Sequence, residues 1–441
     1  MALTAFASGG APVVETLANG VRVLAIAQPH VQSASVGVFL RVGSRDETAA
    51  TSGASHVLEH MAFKGTSSRS VQAINLDAER LGADVNAFTS KDTTGYFMSG
   101  LGRHVEQFLA MMADIVLDST FPQAELEREL EVIRHEAIEY AEDPQECSSD
   151  LLDRAIWGDH PMGRPVIGTV ENIERFTRAD LLGHVQRHYV AGKTVVAAAG
   201  NFDVDAFLAA AVRLFSGMRP AAETVSSAVE PPAYLGNAIG RRFSQVSQVF
   251  VNMAYPVAPA APAQLQQQRW RLAAAVSAIL FGGGMSAPLT DTVRERLGLA
   301  YTAESNPESG DVWFNFVIHA VTTPAKLEQL MTVTGELLRE QAARIDPVHL
   351  ERAKNQLAVS RVRTAERTYA TMERAVEELF ARGTLTSAAE TIAMIETITA
   401  DEVRAVFERM LRHRPALAIT GKGATTKAAR ELAARLGAAT R

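Results

Sequence analysis

Residues 55–67 read SHVLEHMAFKGTS. On an α-helix, residues four apart lie on one face about a turn apart. His56 and His60 can therefore present two imidazole nitrogens to one point, and Glu59, three residues after His56, hangs its carboxylate over the same face. Two imidazoles beside a carboxylate suit a zinc ion with an acid-base group next to it. A histidine pair on a helix is also compatible with plain surface or core packing, so the rest of the chain must decide.

The chain has 441 residues, 47% of them hydrophobic, enough for more than one packed core. A net charge of −7 leaves no basic field for nucleic acid or an anionic membrane. The single cysteine, Cys147, excludes disulfides within the chain and thiolate metal sites. A metal would need histidine and carboxylate ligands. The first twenty residues, MALTAFASGGAPVVETLANG, lack a basic start, a long apolar stretch and any arginine, and no run approaches eighteen apolar residues. The expectation is a cytoplasmic protein with neither nucleic acid nor membrane as partner.

The elements that must position the histidines are duplicated. ERLG occurs at Glu79–Gly82 and again at Glu295–Gly298, an offset of 216. A strand-like run precedes each copy, SASVGVFLRVGS and SQVFVNMAYP, and an alternating segment follows each, TTGYFMSG and DVWFNFVIHA. Helical patterns come next in both halves. This order predicts an α+β chain of two homologous domains, 1–222 and 230–441, each with a mixed or antiparallel sheet covered by helices. The Pro-, Ser- and Ala-rich stretch 218–237 reads as the linker. Shifted by the same offset, His56–His60 falls on Leu272–Val276, LAAAV, and no histidine occurs between 189 and 318. Histidines present in one copy alone favour a site grafted on the fold over a packing requirement.

Two histidines leave zinc one protein ligand short of the three usual in a catalytic site. The best source is a helix over 121–143, FPQAELERELEVIRHEAIEYAED, with Leu126, Leu130, Ile133, Ala137 and Tyr140 as its apolar stripe. Glu129 and Glu136 flank that stripe, Glu127, Glu131 and Asp143 look more exposed, and His135 reads as surface or packing.

HVLEH followed by a glutamate 76 residues after the second histidine resembles the inverted-zinc-motif peptidases, the family of pitrilysin and mitochondrial processing peptidase. LANGVRVLAI, HPMGRPVIGT, VVAAAGNFD and GGGMSAPLTDTVRERLGLAY look like the same family, so the resemblance covers nearly the whole chain. It implies one zinc per chain, held by His56, His60 and Glu136, with Glu129 orienting the ligands and Glu59 as the acid-base group. It further implies that Arg294 and Tyr301, in the pattern R-E-x-x-G-L-x-Y, contact substrate and steady the reacting carbonyl. Asn86, Ala87 and Phe88 match the edge strand on which an extended peptide adds as a further strand.

The implied architecture is half of a dimeric clamshell, with a second copy or a related subunit completing a chamber for short or unfolded peptides. The implied activity is that of a zinc endopeptidase. The alternatives are a catalytic subunit that needs a dedicated partner to process one peptide, an inactive core-type relative, and a metal-dependent peptide-binding protein without turnover. Where the family often has Ser-Ser-Arg-Leu, this chain has Ser286-Ala287-Pro288-Leu289.

Overall fold

A computed structural model describes residues 11–220, 233–257, 264–310 and 313–436. The linker expected at 218–237 falls largely outside those residues. The first half supplies β1 (Val13–Thr16), β2 (Arg22–Ala27), β3 (Ser33–Leu40), β4 (Asp84–Thr89), β5 (Thr94–Leu101) and β6 (Thr194–Gly200). They form a six-stranded sheet in the order β1-β2-β6-β3-β5-β4, antiparallel except for the parallel pair β2 and β6. The second half supplies β7 (Ala238–Arg242), β8 (Val249–Pro256), β9 (Ala300–Ser309), β10 (Phe314–Thr322) and β11 (Ala416–Gly421). Their order is β7-β11-β8-β10-β9, and again only the pair of first and last strands is parallel.

Apart from β1, the two sheets share one connectivity: first strand, last, second, fourth, third. The repeated segments fall on equivalent strands. SASVGVFL is β3 and SQVFVNMAYP contains β8, while TTGYFMSG and DVWFNFVIHA contain β5 and β10. Both ERLG copies end on a glycine in the left-handed region, Gly82 at φ +60 and Gly298 at φ +56. Each glycine stops a helical segment just before an edge strand, β4 in one sheet and β9 in the other. The segment before Gly82 is an ordinary helix, Val71–Arg80. The one before Gly298, Asp291–Arg296, is a π-turn, in which the Leu297 N–H reaches back five residues to the Thr292 carbonyl at 3.1 Å.

The packed units are discontinuous in sequence. The first joins the chain up to Ile138 with Pro165–Glu230 and Arg363–Leu385; the second joins Glu139–Arg164, Pro231–Val362 and Thr386–Arg441. The packed units therefore do not coincide with the two halves of the chain: each core takes one helix from the other half. In the first unit, one sheet face carries the main core with Val36, Val38, Phe108 and Met112. The opposite face, with Leu24, Phe39, Val195 and Ala197, is covered by Met372, Val376, Leu379 and Phe380 of the helix Thr368–Arg382. In the second unit, Leu152, Ala155, Ile156 and Trp157 of the helix Pro144–Trp157 pack on Ala254, Val317, Ala416 and Ala418. Cover on both faces explains why β6 (TVVAAAG) and β11 (ALAITG) are buried throughout and read as nearly unbroken apolar runs. Among the described residues no helix is long and apolar enough to cross a membrane.

Candidate metal centre

His56 and His60 lie on the helix Ala54–Ala62, whose inner face is anchored by Val57, Leu58 and Met61 in the core. Burying that stripe turns both rings to the opposite side, their centroids 4.8 Å apart. The glutamate helix spans Gln123–Glu142; Leu126, Ile133 and Ala137 are buried while Tyr140 at its end is exposed. Its buried stripe brings Glu129 and Glu136 against the histidines. Glu127, Glu131 and Asp143 are exposed, and His135 sits on the surface beside Glu131 at 3.0 Å.

His56 Nε2 lies 3.9 Å from Glu136 Oε1, and His60 Nε2 lies 3.7 Å from Glu136 Oε2. Both gaps are too wide for hydrogen bonds. They fall within the span of about 4.2 Å that two bonds of about 2.1 Å to one zinc ion can bridge. The three donor atoms all lie within 4.8 Å of one another, so small inward shifts would complete the shell. Burial, and then the neighbouring His60, push the His56 imidazole down to about 4, which keeps it neutral and able to donate a lone pair at neutral pH. Two imidazoles and one carboxylate fit zinc in both geometry and chemistry.

Glu129 is buried and bridges two groups. One oxygen is 3.2 Å from His60 Nδ1 and the other 2.7 Å from Lys64 Nζ. The first contact directs His60 Nε2 towards the cluster; the second supplies the carboxylate with a countercharge. Glu59 faces the end of β4, near the backbone N–H and hydroxyl of Thr89. The same hydroxyl lies 3.4 Å from the Ser55 carbonyl, tying the strand to the helix. Burial raises the Glu59 carboxyl above its ordinary range, against the opposing pull of Thr89 and His60. Lys64 and Thr89 escaped the sequence reading. Lys64 was within reach of it, since it lies four residues after His60. Nothing local distinguishes Thr89 from any other strand threonine.

Asn86, Ala87 and Phe88 lie on β4, whose outer side pairs with no other described strand. Asn86 is exposed, and its Oδ1 accepts the Ala87 N–H at 2.8 Å. Phe88 packs towards Phe39 under the exchanged helix, ring centroids 6.3 Å apart, so its side chain belongs to the core between that helix and the first unit's sheet.

The helix Arg178–His188 packs His184 against the first turn of the histidine helix, His184 Nε2 to Ser55 Oγ at 3.4 Å. Burial, then the charges of His188, Arg187 and Lys193, depress His184 to about 3. Below its ordinary value of 6.5 the unfolded chain takes a proton that the folded chain refuses. Stability is therefore full above pH 6.5 and lost as pH falls towards 3, by up to about 4 kcal/mol from this residue. His184→Gln flattens that acid limb in urea titrations run between pH 4 and pH 7; an unchanged limb refutes the assignment.

Arg294 and Tyr301 belong to the second unit. The Arg294 guanidinium stands 5.6 Å over the Tyr301 ring, and Tyr301, second residue of β9, is 76% exposed. Arg294 Nη1 also lies 3.9 Å from Met285 Sδ, just beyond the glycine run. Arg352 holds that run by donating to the carbonyls of Leu280 (2.8 Å), Ile279 (3.2 Å) and Gly283. Pro288 opens the short turn Pro288–Thr290 at its first position, where a proline lacks no needed N–H. The positions equivalent to the histidines, Leu272–Val276, are all buried in the second core.

Two units of one topology, with a His-x-x-Glu-His helix and a nearby glutamate in the first alone, define a duplicated chain whose second copy is free of the metal-binding histidines. Residues 22–170 match the family described as insulinase (peptidase family M16), and residues 175–357 match the peptidase M16 inactive domain. A protein of Mycobacterium bovis described as an uncharacterized zinc protease is 34% identical over 419 residues, 93% of each chain. The chain thus belongs to peptidase family M16. A protease from Helicobacter pylori shares the fold at a TM-score of 0.83 and 19% identity, over 93% of this chain and 99% of that one. A chain of complex III2 from Candida albicans does so at 0.80 and 18%, over 96% and 99%. The fold alone therefore does not separate a protease from other occupants of the same scaffold; the residues at the site must.

Proposed function

We propose that the chain is a zinc-dependent endopeptidase that cuts short or unfolded peptides, holding one zinc ion through His56, His60 and Glu136. The observation that carries this reading is the convergence of both Nε2 atoms on the two oxygens of Glu136, with Glu59 beside them. Bound there, zinc supplies a Lewis acid and lowers the pKa of a water towards about 7. Glu59 takes the proton of the water that attacks the peptide carbonyl and returns a proton to the departing amine nitrogen, so the reaction consumes one water and leaves an acid and an amine. Thr89 keeps the carboxyl turned to that task. The free side of β4 accepts an extended peptide through main-chain bonds at Asn86–Phe88, which places its carbonyls beside the base and selects unfolded chains.

Arg294 and Tyr301 are both hydrogen-bond donors. They are assigned to the carbonyl oxygen as it gains charge. A second two-unit chain, another copy or a related subunit, closes the chamber.

The test is zinc stoichiometry together with cleavage of a mixed pool of unfolded peptides, followed by mass spectrometry. One zinc per chain, loss of cleavage on chelation and recovery with zinc are the expected results. Stoichiometric zinc without any cleavage favours a binding or partner-dependent role, and absence of zinc overturns the reading.

A further inference from the structure

The helix that carries both histidines begins at a residue that cannot cap it. Gly53 occupies the cap position with φ +100, and a Cβ there would stand 2.7 Å from the Ile167 carbonyl oxygen and 3.1 Å from Gly168 Cα. Conformation and contact together exclude the Ser, Thr, Asp or Asn usual at this place. Glu47 nevertheless satisfies two donors there. The Gly53 N–H donates to Glu47 Oε2 at 2.8 Å and the Ser55 N–H to Glu47 Oε1 at 2.7 Å. Glu47 is 3% exposed and lies six residues before the glycine it serves. The loop between them is pinned from the far side: Asn172 donates to the carbonyls of Ala49 (2.9 Å) and Ser52 (3.1 Å), and Arg175 to that of Ala50 (2.6 Å).

The two histidines are held differently. His60 is oriented through its second nitrogen by Glu129. His56 Nδ1 is buried with no hydrogen-bond partner among the described residues. Its aim depends on its backbone, in the first turn of the helix, one residue beyond the Ser55 N–H that Glu47 holds. A carboxyl spread across two N–H groups at a helix N-terminus keeps both donors paired; burial raises this one to about 7, so at that pH its ionised fraction alone adds charge-assisted bonds and complements the positive end of the helix dipole.

We propose that Glu47 is a positioning residue for the metal centre, doing for His56 through the backbone what Glu129 does for His60 through the ring; this rests on the zinc reading above. Glu47→Gln keeps the size but exchanges one acceptor oxygen for an NH2 group that cannot accept. Zinc affinity of the intact chain is measured by competition with a chromophoric chelator at pH 7, well below the unfolding temperature. The expected result is about tenfold weaker zinc binding, with cleavage recovered at saturating zinc.

Ser387→Ala is the control. It removes the cap of a helix in the second unit, where Ser387 Oγ accepts the Glu390 N–H at 3.1 Å. It lowers thermal stability and leaves zinc affinity unchanged. Wild-type affinity in Glu47→Gln overturns the proposal whatever its melting temperature. If that variant does not fold, Glu47→Asp keeps the carboxyl and shortens the reach; affinity weakened by about threefold or more supports the proposal and wild-type affinity overturns it. Failure of the wild type itself to bind zinc sinks the zinc reading and this one together, and is told apart by occurring without any mutation.

Discussion

Glu59→Gln retains one zinc per chain and lowers kcat for peptide cleavage by about a thousandfold, within the 10² to 10⁴ that a positioned general base contributes. The substitution keeps the shape of the side chain and one acceptor oxygen. It removes only the capacity to take a proton. On the proposed binding mode KM moves little, because there the peptide is held by main-chain bonds along β4 and not by Glu59. The check is kcat and KM on one cleaved peptide, with zinc content matched between the two proteins. A variant that keeps more than a tenth of wild-type kcat assigns the proton to another group. A variant that loses its zinc makes Glu59 a support for the ligands, and the catalytic role then fails.

Much of the scaffold was legible because helix and strand periods are local. ERLG marked the helix stops before β4 and β9, and the segments around it fell on topologically equivalent strands in both sheets. The four-residue spacing of His56 and His60 was legible for the same reason. The helix exchange was not. Met372, Val376, Leu379 and Phe380 recur at helical spacing, but a spacing names a buried face and not the sheet that buries it. Asp291–Arg296 shows the same boundary: the glycine stop was readable, while the π-turn before it depends on packing around Val293, which is fully buried.

At the site, contacts between segments distant in sequence carry the orientation. Glu129 reaches His60 across 69 residues, and Glu47 serves a cap position that a bulkier residue than Gly53 would ordinarily fill for itself. The choice of Glu136 over Glu129 as ligand came from family spacing. Both flank the same stripe, and only their distances to the two Nε2 atoms distinguish them.

That distinction has a measurable consequence. Glu136→Gln weakens zinc binding by between about a hundred- and a thousandfold, whereas Glu129→Gln weakens it by about tenfold. Glu136 is the one carboxylate donor beside two imidazoles. Its share of the roughly 10–16 kcal/mol that holds zinc in four-ligand sites is about 3–4 kcal/mol. A glutamine there offers a carbonyl oxygen without charge. Glu129 touches only His60 and Lys64, so its neutral analogue can still accept from Nδ1 and loses orientation more than bonding, the order of effect expected of an outer partner. Zinc affinities by chelator competition at pH 7 rank the two variants. A Glu129→Gln loss as large as that of Glu136→Gln would mean that Glu129 enters the shell when zinc binds, displacing Lys64 from its oxygen. Equal, small losses for both would mean that the histidines recruit their third donor from elsewhere. Only the unequal result is consistent with the 3.7 and 3.9 Å approaches of His60 and His56 to Glu136 being the two edges of one metal site.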